Sequence, residues 1–304
     1  MRYSLAVPCK QGYWSKINNQ MLSEPERIIG QLSFHSMLSE VELYPKPGLV
    51  TAISNGAHQD MSISTFKDSA NALLPYMTAF ARAGYTFNQQ EDLSQLLVNI
   101  RPIGIQAERV MFQATNQINT HRGAIFMLGI LSSASGYLLQ TKQPITALLI
   151  QPIIKAMCVG VSSELSQGVE TSNGREAFIQ YGISGIRGEA ELGFPTVIKG
   201  LMTYQSLINA GYKSSFAMHH ALLTCMAFND DSCLIKRGGL NGLTFVQKKA
   251  ARLQSSELSP AELITQLIIF DQECVSRNLS PGGSADCLSA ILLLSQLEQL
   301  TTIQ

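Results

Sequence analysis

The sequence predicts an all-α protein: a single-domain bundle of many helices whose glycine- and charge-rich loops converge at one end as an active site. Three observations predict it. The dominant apolar period is helical, alternating strand patterns are almost absent, and the 304 residues show no repeat, low-complexity linker or break in composition. With 45% hydrophobic and only 14% charged residues, many elements must be buried on more than one face. We expect a loose tail over residues 1–22 and one domain over 23–304.

Taken in order, helices are expected near 25–42, from Phe66, and near 102–117, 122–140, 144–167, 196–209, 214–228, 243–254, 259–277 and 284–299. The second carries the stripe Ala70, Leu73, Leu74, Met77, Phe80 and Ala81, with Thr65 and Asp68 as a capping-box start. Ser259-Pro260-Ala261-Glu262 is a stronger start, with an N-cap serine, proline at the first helical position and glutamate at the third. The stretch 123–141 carries no charge and approaches membrane-span length, but its serines, glycines and threonine favour a buried helix of a soluble protein.

Lysine plus arginine and aspartate plus glutamate both number 22, so no basic excess points to nucleic acid or an acidic membrane. The six cysteines are scattered without a C-x-x-C pair, which predicts a reducing cytoplasm and neither a disulfide framework nor structural zinc. The N-terminal apolar run is too short for a signal peptide.

Candidate chemistry lies in segments rich in glycine, proline and charge. In "PKPGLV", Lys46 sits between prolines before Gly48, which reads either as a helix stop or as a stiff segment presenting a lysine to phosphate. In "GAHQDM", His58 and Asp60 share a side if extended, suiting a metal–carboxylate pair or a base with its partner; a simple turn is the alternative. In "NTHRG", Asn119 and Thr120 suffice as a cap, and His121 and Arg122 exceed that need. With the free N–H groups of a helix start they make an anion site. Glu108 lies upstream on a partly apolar face, exposed at its edge or held for chemistry.

"GIRGEAELGFP" offers Arg187 and Glu189 in what reads as a glycine-rich loop. "DDSCLIKRGG" sets Asp230 and Asp231 before Lys236 and Arg237: either carboxylates for Mg²⁺ shared with substrate phosphates, or four charges that neutralise one another. Asp271 falls inside the apolar stripe of the 259–277 helix, so it should be paired, coordinated or raised in pKa. Asp286 has a weaker case, since a helix's first turn favours an acid anyway. Together these residues reach an enzyme acting on a phosphorylated small molecule.

"EVELYPKPGLV", "GAHQDM", "NTHRGAIF", "YGISGIRGEAELGFPTV", "RGGLNGL" and "SPGGSADCL" occur in that order between about 25 and 300. In this the chain resembles the triphosphoribosyl-dephospho-CoA synthase family, whose product is the prosthetic-group precursor of citrate lyase and malonate decarboxylase carrier subunits. The resemblance implies an all-α fold and the reaction ATP + 3′-dephospho-CoA → 2′-(5″-triphosphoribosyl)-3′-dephospho-CoA + adenine, with Mg²⁺. On that reading Lys46, His58, Asn119, Arg122, Arg187, Lys236 and Arg237 hold substrate, and Asp60, Asp230 and Asp231 hold the metal. Glu108, Glu189, Asp271 and His121 are the candidates for chemistry. A downstream holo-carrier-protein transferase and a second copy of the chain are further expected partners.

The chain departs from the family where a glycine pair is expected, having Asn116 and Gln117, and at "DDSC", which favours the malonate-decarboxylase branch. Two rivals remain at this point: a Mg²⁺-dependent all-α ADP-ribose-type glycohydrolase and a non-catalytic binder of CoA-type ligands. Adenine release that depends on dephospho-CoA separates all three.

Overall fold

A computed structural model describes residues 24–167 and 172–302; the expected tail (1–22) lies outside them. Among the described residues thirteen α-helices and no strands occur. They are α1 (Pro25–Glu42), α2 (Ile63–Tyr85), α3 (Ser94–Ala114), α4 (Arg122–Gln140), α5 (Ala147–Met157), α6 (Glu164–Gln167) and α7 (Asn173–Tyr181). The rest are α8 (Gly185–Glu191), α9 (Pro195–Asn209), α10 (Ser214–Phe228), α11 (Ser232–Gln254), α12 (Pro260–Ser276) and α13 (Gly282–Thr302). One hydrophobic core runs from Ile28 to Leu300.

Two helices organise the bundle. α4 packs against α1, α2, α3, α5 and α13, and α13 packs against α1, α4, α9, α10 and α11. That central place explains the small residues of α4. A side chain at Gly136 would sit 2.1 Å from the Ala81 carbonyl oxygen, and one at Gly84 would sit 1.8 Å from that of Ser133. The α2 and α4 backbones therefore approach closely. Ser133 donates to the Phe80 carbonyl across this contact at 2.9 Å, and Ser132 lies 3.1 Å from Ser33 of α1. α4 is long and apolar enough to cross a membrane, yet most of it is buried within the protein.

Several expected boundaries move, each for a local reason. α2 starts at Ile63, where Thr65 Oγ1 accepts the Ser62 N–H at 3.2 Å, so Ser62 and not Thr65 is the N-cap. α3 starts at Ser94 and carries Pro102 inside it on an exposed face. The expected helix over 144–167 divides into α5 and α6 across Gly160, whose φ is 77°. α7 and α8 were not expected: Gly182 (φ 72°) ends α7, and "GIRGEAE" is helical rather than a loop. "DDSCLIKRGG" is likewise the start of α11, kinked at Gly239 (φ 58°, ψ −162°). The Ser259–Glu262 capping box forms as expected. Asn116 and Gln117 both adopt left-handed backbone (φ 52° and 68°), so the turn survives without glycine.

Candidate active site

The N-terminal ends of α4 and α13 meet. Asp286, just after the first turn of α13, accepts the Ala124 N–H of the first turn of α4, and a side chain on Gly123 would collide with its carboxylate at 2.1 Å. A cavity of about 250 Å³ opens there. Of the residues singled out from sequence, Lys46, His58, Asp60, Asn119, His121, Arg122, Lys236 and Arg237 line it. A polar depression of about 540 Å³ adjoins it and shares His58, Asp60 and Arg237.

Its floor is an ion pair. Lys46 is 2% exposed and donates to Glu40 Oε1 at 2.5 Å, and Glu40 is 4% exposed. Burial pushes the Glu40 carboxyl up and the Lys46 ammonium down, and their mutual attraction offsets part of both. The segment carrying Lys46 is pinned from α12: the Gly48 N–H donates to Asp271 Oδ1 at 2.8 Å. Gly48 has φ 71°, and a side chain there would lie 2.2 Å from the Leu279 carbonyl oxygen. "PKPG" is thus both a helix stop and a lysine mount.

Cations at the mouth already have partners. Arg122 lies 2.7 Å from Glu108, and its N–H donates to Asn119 Oδ1 at 3.2 Å, so Asn119 caps α4. Lys236 lies 3.1 Å from Glu176, with both side chains about half exposed. Exposed pairs of this kind contribute ~0–1 kcal/mol, so a phosphate can displace the carboxylates. Arg237 is more constrained. It donates to the Ala57 carbonyl (2.9 Å), Asn278 Oδ1 (2.8 Å) and His58 Nδ1 (3.0 Å). Since His58 Nδ1 accepts, its proton is on Nε2, 2.8 Å from Ser280 Oγ. Burial and the Arg237 charge hold the His58 pKa low. His58 and Arg237 form a rigid rim; Asp60, 3.7 Å from His58, faces water.

The expected metal set does not fit a protein-built centre. Asp231 is 1% exposed and its oxygens are taken: Cys233 N–H donates at 2.9 Å, Ser284 N–H at 2.9 Å and Ser284 Oγ–H at 3.1 Å. It latches the start of α11 to that of α13, while Asp230 is exposed and outside the cavity. Among the described residues no group of three or more His, Cys, Asp or Glu side chains could hold a metal ion.

Three candidates for chemistry are placed elsewhere. Glu108 reaches the cavity only through Arg122. Glu189 accepts the Thr196 N–H (3.1 Å) and hydroxyl (2.7 Å), capping α9, and burial raises its pKa. Asp271 lies beside the backbone of Gly48, with its pKa raised by burial; it faces neither a cation nor the cavity. Arg187 pairs with Glu164 at 2.5 Å, away from the site. His121 is 4% exposed, and burial together with the Lys46 charge pushes its pKa to about 3, so it brings no positive charge to an anion.

Sequence reading missed Glu40, Asn173, Cys233 and Ser280, and underrated Asp286. The signal for Glu40 is visible in retrospect: Ile29, Leu32, Ser36 and Glu40 repeat at spacings of three and four, which puts a carboxylate on a buried face. Burial, Glu40 and Asp231 all oppose ionisation of Asp286 and raise its pKa well above the carboxylate range.

Residues 26–304 match the family described as CitG: ATP:dephospho-CoA triphosphoribosyl transferase. A Vibrio cholerae serotype O1 protein, described as a probable 2-(5″-triphosphoribosyl)-3′-dephosphocoenzyme-A synthase, is 41% identical over 284 residues, covering 91% of this chain and 90% of that one. The 2-(5″-triphosphoribosyl)-3′-dephosphocoenzyme-A synthases of Haemophilus ducreyi and Pectobacterium atrosepticum are 39% and 40% identical, each match covering 88% of both chains. The chain, a transferase, therefore belongs to the ATP:dephospho-CoA triphosphoribosyl transferase family.

Proposed function

We propose that the cavity between α4 and α13 transfers the 5-triphosphoribosyl group of ATP to the ribose 2′-hydroxyl of 3′-dephospho-CoA, releasing adenine. The observation that carries this is the meeting of the two helix N-termini around Asp286, beneath a rim of displaceable cations. The hydroxyl oxygen bonds to C1′ of the ATP ribose, the C1′–N9 bond breaks, and its electron pair leaves with adenine. The hydroxyl proton ends on adenine, so the step balances. Direct displacement inverts C1′ to an α-linkage.

Asp286 is the carboxyl we assign to proton uptake. A carboxyl whose pKa burial raises is a stronger base when ionised than an ordinary aspartate. Arg122 and Lys236, released from Glu108 and Glu176, grip the triphosphate, and the adjoining depression takes the diphosphate arm of dephospho-CoA. Mg²⁺ enters with the triphosphate, with Asp60 as an exposed carboxylate at the mouth. The phosphates are held but not cut, so no group is needed to polarise a phosphoryl centre.

The free state of the five described cysteines supports a cytoplasmic setting. The "DDSC" segment supports service to malonate decarboxylase rather than citrate lyase, with a holo-carrier-protein transferase using the product. The test is chromatography of the reaction mixture. Adenine and a triphosphate-bearing dinucleotide are expected only when both substrates are present. Stoichiometric ADP overturns the reading, and adenine from ATP alone makes the protein a glycohydrolase.

A further inference from the structure

His121 holds the least satisfied polar atom of the cavity wall. Its Nδ1 lies 2.7 Å from Ser69 Oγ, and Ser69 Oγ accepts the Thr120 hydroxyl at 2.7 Å. A serine hydroxyl has one proton to give. With Thr120 donating into the Ser69 oxygen, that proton points at His121 Nδ1. Nδ1 then accepts, so the proton of the neutral ring sits on Nε2. Nε2 is buried and has no hydrogen-bond partner in the protein. Burial keeps the ring neutral through the physiological range.

One wall beside this donor is apolar. The Phe66 ring meets the imidazole edge-on, with centroids 5.1 Å apart and planes at 84°. Val50 and Met61, which form a small cluster with Phe66, line the same cavity. Phosphates belong with the rim cations Arg122 and Lys236. A neutral N–H beside an aromatic and aliphatic wall suits a flat heterocycle with acceptor nitrogens.

We propose that Thr120 and Ser69 are positioning residues that fix His121 as a neutral Nε2–H donor, and that this donor and the Val50–Met61–Phe66 wall form the subsite for the purine ring of ATP. The assignment rests on the reaction proposed above. His121 donates a hydrogen bond to a ring nitrogen of the purine and transfers no proton. The bond strengthens as the C1′–N9 electron pair moves onto the ring, which eases departure.

Histidine-selective ¹⁵N labelling gives only five side chains to assign. The His121 resonances are expected to report the Nε2–H form from pH 8 to pH 5, with a shift of Nε2 on adding adenine. Ser69→Ala should mix the tautomers and lower kcat about tenfold, with KM for dephospho-CoA unchanged, as for one lost hydrogen bond. Of 3-deaza-ATP and 7-deaza-ATP, one should lose about tenfold in kcat/KM with the native enzyme and nothing further with His121→Phe. An Nδ1–H or protonated His121 at pH 7, or the same penalty for both analogues in both proteins, overturns the proposal. If the native enzyme releases no adenine, the reaction reading fails, while the tautomer and the adenine-induced shift still decide this one. Should His121→Phe not fold, Ser69→Ala and the labelled native protein carry the test.

Discussion

Two glycine- and charge-rich regions look alike in sequence and differ in three dimensions. Around the cavity, polar groups are left short of partners: His121 Nε2 has none, Asp286 is crowded by two carboxyls, and Arg122 and Lys236 hold exposed partners loosely. In the α8–α9 region the two residues that the sequence singles out are committed. Glu189 caps α9 with both oxygens, and Arg187 spans Glu164 and the Val161 carbonyl. A charge near glycine marks a site only when the fold does not itself use up its bonds.

The largest effect should come from the buried pair under the cavity. Lys46→Met strands Glu40 at 4% exposure, and breaking such a pair costs about 3–5 kcal/mol. Adding Glu40→Leu should restore much of that stability but no turnover. Thermal melts and the adenine assay on both proteins check it; a double variant that turns over would move the pair out of the site. Next in size, Arg122→Ala should remove a charge-assisted contact with the triphosphate worth about 1.5–3 kcal/mol. KM for ATP would then rise by roughly ten- to a hundredfold, while the melt changes little, because Arg122 and Glu108 are a partly exposed pair. A collapsed melt with unchanged ATP affinity would make Arg122 a cap residue alone.

An effect readable against pH comes from the second buried histidine. His219 is 2% exposed and lies against the backbone of Tyr44 and Pro45, next to Lys46. Burial lowers its pKa from 6.5 to about 4. Between those values the unfolded chain binds the proton and the folded one does not. The stability due to neutral His219 is therefore complete above pH 6.5 and lost as pH falls toward about 4. The slope is about 1.4 kcal/mol per pH unit. Asp231 and Asp286, raised in pKa, tilt the profile the other way. The readout is accordingly the difference in urea stability between the native protein and His219→Gln across that window. A flat difference would refute the assignment.

Most of the fold was legible because amphipathic and apolar periods dominate so much of the chain. Helix boundaries failed where backbone rather than side chains decided: Gly160, Gly182 and Gly239 adopt left-handed φ, and Pro102 is tolerated inside α3. The site was legible as a set of segments, because loops at helix N-termini declare themselves by glycine and charge. Which carboxylate faces the cavity was not, because that depends on partners far away in sequence. Asp231 looked like a metal ligand until Ser284 supplied its hydrogen bonds, and Asp271 looked catalytic until Gly48 did. Asp286 was discounted as a favourable helix-start acid, although α4 brings a second N-terminus to it.

The smallest effect tests the other half of the comparison. Arg187 was expected to hold substrate, and its side chain is 34% exposed beside Glu164 at 35%. Glu164 also pairs with Arg101, so Arg187→Ala leaves the carboxylate with a cation and strands nothing. Lost are one exposed ion pair and a long hydrogen bond to Val161 at 3.4 Å, together no more than ~1 kcal/mol. The variant should melt within a few degrees of the native protein, with kcat and KM for both substrates within about twofold, since an exposed substitution away from such features rarely exceeds ~0.5 kcal/mol. A tenfold rise in either KM would bring α8 into the binding surface. It would mean that α8 moves toward the cavity when substrate arrives, and that satisfied bonds do not by themselves separate the two regions.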